Sequence, residues 1–156
     1  RAFTVIADRV PLLGPLRCLD TALYDELPQW VESTAQQICR AYGGDATVRF
    51  RGIAPPVQND LELTRLLEQV ALEQLGRQRV LELEQPSLGA EDFAHYLGHV
   101  PGCMFRLGVA GPEGCAPLHN GAFNPEEACL PLAVELLSAT LRLWLEQHGQ
   151  QCGGAL

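Results

Sequence analysis

Across 156 residues, 11 lysines and arginines stand against 19 aspartates and glutamates, a formal net charge of −8, and the basic residues are scattered along the chain. Nucleic acid is therefore excluded as an expected partner, because phosphate binding needs a clustered basic face. Charges interrupt every apolar run well short of the roughly 20 residues of a membrane span, and the N-terminus has no signal-peptide pattern, so a soluble chain with no membrane partner is expected.

Residues 3 to 7 (FTVIA) and 9 to 17 (RVPLLGPLR) read as two strands joined at Asp8-Arg9, on their β-branched and aliphatic content. Pro11 and Pro15 cannot donate to a ladder, so the second strand belongs at an edge or is irregular. Asp20 is a good N-cap for a helix over 21 to 42, with Leu23, Leu27, Trp30, Thr34, Ile38 and Ala41 at helical spacing. Pro28 implies either a kink or a start near that residue, and Gly43-Gly44 end the helix. Residues 46 to 53 (ATVRFRGI) alternate as a half-exposed strand.

Pro55-Pro56 stiffen a linker at which the chain divides, residues 1 to 57 from 58 to 156. Asn59, with Glu62 three residues on, forms a capping box for a helix whose stripe is Leu63, Leu66, Leu67, Val70 and Ala71 and which closes at Gly76. Residues 79 to 84 (RVLELE) read as a strand, 90 to 98 as a short helix and 103 to 109 as a buried strand. Asn124 caps a last helix, with Pro125 at its first position and Glu127 at its third, apolar nearly all round as far as Gln147 and hence expected to be buried. The tail from Gly149 to Leu156 has little reason to be ordered. Alternating strands and helices after residue 58 argue for an α/β layer. The first part reads as most of a small α+β layer.

The six cysteines, at positions 18, 39, 103, 115, 129 and 152, include no Cys-x-x-Cys pair, which excludes a zinc ribbon or thioredoxin-like motif. Several lie in apolar runs, where a free Cys behaves as a small hydrophobe. A reduced, cytoplasmic setting fits best, with a disulfide between distant positions left open.

One stretch, residues 86 to 131, carries most of the chemistry. Gly89-Ala90-Glu91-Asp92-Phe93, then Val100-Pro101-Gly102, Leu118-His119-Asn120 and the run from Asn124 to Pro131 resemble the C-terminal part of the metal-dependent amidohydrolases that cleave N-acyl amino acids. These include aminoacylases, hippurate hydrolases and auxin-conjugate hydrolases, within a wider group of zinc peptidases. Upstream, Val5 to Val10, Leu16-Arg17, Pro55-Pro56-Val57 and Asn59-Asp60 fall in the order of the family's lid domain and its return to the catalytic domain. The resemblance implies an incomplete two-domain α/β chain. A partial α+β, ferredoxin-like lid or dimerisation domain (1 to 57) precedes the C-terminal part of a zinc-peptidase-like catalytic domain (58 to 156). The family's N-terminal half, which carries most of the metal ligands and the general-base glutamate, has no counterpart in these residues, so the chain reads as a fragment.

The same resemblance makes His119 a metal ligand, one contribution to a centre of two divalent metals per complete active site. Neutral imidazole suits zinc, manganese, cobalt or nickel alike; the bland account is a loop histidine bonded to a neighbour. Glu91 and Asp92 suit the first turn of a helix, where the dipole favours negative charge, and Glu91 is a candidate to orient a metal ligand by hydrogen bonding. His95 and His99, four apart, have a spacing able to chelate a metal, but no Glu follows His95 and a solvated helix face accounts for them. A self-contained site of His95, His99 and His119 is the weaker alternative. The family usually has an Asn where Thr4 stands, to position the substrate carbonyl, and Arg17 and Asn59 are explained by a sheet-edge charge and a helix cap.

The function implied is amide-bond hydrolysis of N-acyl amino acids or related conjugates by a metal-activated water. The parent is expected to be a homodimer joined through the lid or the N-terminal half, and the fragment alone is expected to be inactive and metal-free. The alternative is a non-catalytic binding or dimerisation module. A chain of two incomplete layers is further expected to expose apolar surface.

Overall fold

The computed structural model describes residues 6–51 and 54–149. Four α-helices follow in order: α1 (Thr21–Ala41), α2 (Leu61–Leu75), α3 (Phe93–Leu97) and α4 (Cys129–His148). The contacts divide the chain into two units, one of residues 1–56 with 87–91, the other of residues 57–86 with 92–156.

In the first unit, α1 begins where a short-range signal puts it. The Asp20 carboxylate accepts from the backbone N–H groups of Ala22 and Leu23, at 2.8 and 3.2 Å, so two of the donors left over at a helix start are satisfied. Pro28 lies inside the helix without ending it. At the other end Gly44 N–H reaches the Cys39 carbonyl (2.9 Å) and Gly43 N–H that of Arg40 (3.1 Å). This is a Schellman closure, and it needs the left-handed φ of 75° that Gly43 adopts. No residue of α1 is buried, and Trp30 and Ile38 of the expected stripe are exposed.

The second unit is built on the packing of α2 against α4. Leu66 and Val70 of α2, Cys129 and Leu136 of α4, and Ala94 of α3 are buried, and burying a leucine or valine side chain contributes about 1.5–3 kcal/mol. At the far end of the pair the His148 imidazole stacks on Trp144, with centroids 4.9 Å apart and planes at 16°, and its Nε2 lies 3.0 Å from Glu62 Oε1. Packing reaches only one side of α4. Leu130, Val134, Leu137, Leu141 and Leu145 are exposed, and their spacing of four, three, four and four puts them on one face. The expectation of a wholly buried last helix is thus corrected, whereas exposed apolar surface is found as expected.

Two helix starts differ from expectation. The N-cap of α2 is Asp60, whose carboxylate accepts from Leu63 N–H at 2.9 Å. Asn59 instead bridges to the backbone of Met104, its Nδ2 donating to the carbonyl (2.7 Å) and its Oδ1 accepting from the N–H (3.0 Å). Beside it Asp60 N–H donates to the Gly102 carbonyl at 2.9 Å. The last helix, expected to be capped by Asn124 with Pro125 at its first position, begins at Cys129, because that expected first turn is otherwise engaged. Asn124 accepts from the Cys115 thiol (3.2 Å), and Glu126 N–H is spent on the Val109 carbonyl (2.9 Å).

The strands expected over 9–17, 46–51, 79–84 and 103–109 are absent among the described residues, where the only bridge is an isolated one between Gly111 and Gly114. Arg79 ends a 3₁₀ turn, Arg77–Arg79, instead. A helix satisfies its own backbone, whereas a strand needs a neighbouring segment to form a ladder; these segments form no ladder among the described residues, so no strand of the expected α+β lid layer is seen there. Most of the first expected strand, Thr4 with it, and residues 52 and 53 lie outside the described residues. Extended alternation nevertheless survives in exposure: Phe105, Leu107 and Val109 are half-buried while Arg106, Gly108 and Ala110 are exposed.

Candidate functional site: the His119 loop

His119 stands on a loop whose base and tip are both held by hydrogen bonds. At the base Val109 is tied to Glu126, and Cys115 to Asn124 (2.9 and 3.2 Å). Between them Gly111 and Gly114 close a tight turn, which the φ of 85° at Gly114 makes a glycine position. A side chain at Gly111 would collide with the Glu126 carboxylate, since an added Cβ would fall 2.7 Å from Oε2. At the tip Asn120 N–H donates to Pro117 (3.2 Å), Phe123 N–H donates to Asn120 (2.9 Å), and the Asn120 side chain accepts from Ala122 N–H (2.9 Å). His119 is thereby fixed on both sides, and its imidazole is exposed.

The backbone of His119 is left-handed, φ 66°, the only such non-glycine residue among those described. That region costs an L-residue about 1–2 kcal/mol. Strain of this kind is kept where surrounding structure enforces it, and it concentrates at functional sites. The sequence places His119 on a loop, whereas the contacts that hold it appear only in the structure. The Asn120-Gly121 pair was a legible turn signal, whereas the bonds from Cys115 and Val109 have no local signature.

The remaining candidates are not drawn into one cluster. Glu91 and Asp92 are exposed; Asp92 precedes α3 without a side-chain capping bond, and Glu91 falls in the first unit while His119 falls in the second. The helix expected over 90–98 is only Phe93–Leu97. His95 lies in it and His99 beyond its end, in a turn where His99 N–H donates to Tyr96 (2.9 Å), so the two do not share a helical face. His99 lines an open depression of about 340 Å³ together with Gln58, Asp60 and the neighbouring backbone.

Among the described residues no group of three or more His, Cys, Asp or Glu side chains could hold a metal ion. Protein metal sites of this class take three or four protein ligands, so the residues present do not fit one by themselves, and the self-contained site of His95, His99 and His119 is set aside. Cys18, Cys39, Cys103, Cys115 and Cys129 are free thiols. No helix among the described residues is long and apolar enough to cross a membrane.

The chain is 42% identical over 147 residues to "Probable hydrolase sll0100" of Synechocystis, covering 92% of this chain and 37% of that protein. It is 33% identical over 138 residues to "Putative amidohydrolase YhaA" of Bacillus subtilis, covering 87% and 35%. With an "N-acetyldiaminopimelate deacetylase" of Enterococcus faecalis it shares 29% identity over 145 residues, covering 90% and 36%. The chain thus spans little more than a third of the length of these relatives. No solved structure matches. The family model for Peptidase family M20/M25/M40 matches residues 6–143, from the N-terminal segment through the His119 loop and well into α4. A match of that extent decides the matter: the chain belongs to this family of hydrolases, which are generally metal-dependent and have a zinc-peptidase-like α/β fold.

Proposed function

We propose that this chain is the C-terminal part of a hydrolase that cleaves the amide bond of N-acyl amino acids or related conjugates. The observation that carries this reading is the similarity, over nearly the whole chain, to proteins named amidohydrolase and deacetylase. In this reading His119 supplies one ligand to the metal centre. Its held, left-handed loop supports that role, because a ligand fixed in advance loses little conformational freedom on binding. Glu91 orients a ligand, residues 1 to 57 act as lid and dimerisation domain, and the parent is a cytoplasmic homodimer. The other metal ligands and the general base come from residues outside these 156. The absence of any three-ligand cluster among the described residues favours a second statement: the chain by itself is a non-catalytic module.

The test compares the 156-residue chain with the longer protein on a panel of N-acetyl amino acids, with metal content by elemental analysis. The chain alone is expected to hold no stoichiometric metal and to release no amino acid. The longer protein is expected to do both, with His119→Ala cutting its activity by about 100-fold or more, beyond what loss of an indirect partner costs. Hydrolysis by the chain alone would overturn the second statement. Undiminished metal content and activity in His119→Ala would remove His119 from the site.

A further inference from the structure

Helix α4 has three sides. At about 100° of rotation per residue, the buried Cys129 and Leu136 stand within about 20° of each other, on the side packed against α2. Roughly 130° away, Leu130, Val134, Leu137, Leu141 and Leu145 fall within about 80° of one another and are 49 to 64% exposed. At about 1.5 Å per residue they form a stripe about 22 Å long. The third side holds Glu135, Arg142 and Glu146, the carboxylates and the guanidinium of the helix, within about 40° of one another. A helix covered on one side only carries charged and polar residues over the rest of its surface. Here the charge is confined to one side, and the stripe between it and the α2 contact carries none. That pattern fits a helix held between two packed neighbours, of which α2 is one.

We propose that the leucine stripe of α4 is covered, in the longer protein, by residues that lie outside these 156. The proposal rests on the reading that the chain is the C-terminal part of a longer hydrolase. Length supports the occupant. The matched stretch is 35 to 37% of three of the relatives, so nearly two-thirds of such a protein lies elsewhere in the same polypeptide and meets the stripe at the high effective concentration of a linked segment. The core supports it as well: among the described residues the buried apolar side chains are Leu66, Val70, Ala94, Cys129 and Leu136, and an apolar surface laid on the stripe would extend that cluster around α4. A lipid surface fits less well. Helices that lie on membranes carry lysine and arginine on their polar side, and here that side has one arginine against two glutamates, in a chain of net charge −8.

The experiment reads the iodoacetamide alkylation rate of a thiol placed on the stripe, Leu141→Cys, and of one on the charged side, Glu135→Cys, in the 156-residue chain and in the longer protein. Protein is kept at low micromolar concentration and varied, and mass spectrometry of the peptides separates the new thiol from the native cysteines. All these positions are exposed, so the changes remove no buried contact from the chain. Val134→Cys, two turns earlier on the stripe, is the second variant, so that a local disturbance at one position does not decide the result. Both stripe thiols are expected to react as fast as Glu135→Cys in the chain alone. In the longer protein they are expected to react about 100-fold or more slowly, as a buried thiol does, at every concentration, while Glu135→Cys keeps its rate. Equal stripe rates in the two proteins would overturn the proposal, as would equal slowing at Glu135→Cys. Slow reaction in the chain alone would overturn it too, because another part of these residues would then be the cover; slowing that grows with concentration in either protein would assign the stripe to a second copy instead. Activity is read separately: a longer protein that protects the stripe but releases no amino acid from N-acyl amino acids would refute the hydrolase reading and leave the cover in place.

Discussion

Replacing Asn59 with Asp separates two accounts of how α2 is held. If Asn59 were the helix cap, as its spacing to Glu62 implies, the change would be nearly neutral, because Asn and Asp cap about equally well. In the structure the Asn59 side chain donates to the Met104 carbonyl at 2.7 Å and accepts from the Met104 N–H at 3.0 Å. Asn59→Asp keeps the acceptor but turns the donor into an oxygen facing another oxygen at that distance. One bond, worth about 0.5–1.5 kcal/mol net, is lost and a repulsion is added, so the expected destabilisation is about 1–2 kcal/mol. Asn59→Ala, losing both bonds at an exposed position, should cost about the same. Asp60→Asn is the control: Asp60 is the actual cap, and this change should stay within about 0.5 kcal/mol. The assay is urea unfolding followed by far-ultraviolet circular dichroism at neutral pH, where the introduced carboxylate is ionised. An Asn59→Asp chain as stable as the wild type would refute the bridge and restore Asn59 as the cap.

Leu136→Ala, at a position 3% exposed in the α2–α4 contact, should lower stability by about 2–4 kcal/mol. Leu137→Ala, next to it but 56% exposed, should change stability by no more than about 0.5 kcal/mol; equal effects in unfolding titrations would contradict the assigned packing face. Gly102→Ala would place a Cβ 2.7 Å from Leu97 Cδ2 and 3.1 Å from Phe93 Cζ. Because the Leu97 side chain can turn away, the expected cost is about 1 kcal/mol. Thermal unfolding of Gly102→Ala on a Leu97→Ala background should show most of that cost removed.

Whatever is decided within a few residues was legible in the sequence. Asp20 starts α1 and Gly43-Gly44 end it, Gly76 caps α2, and the α2 stripe holds the buried Leu66 and Val70, because caps and helical faces are set by bonds and spacings inside one segment. The family and the candidacy of His119 were legible too, through motif order. Tertiary structure decided where segments compete for the same backbone groups. Asn59 was drawn from capping to Met104, and the residues from Asn124 to Glu126 were drawn from a first helical turn to Cys115 and Val109. The left-handed backbone of His119 follows from a loop held on both sides. The strands expected among the described residues are absent for the converse reason: their alternation states a preference, but a ladder requires a second segment to supply donors and acceptors, which no stretch of sequence can provide for itself.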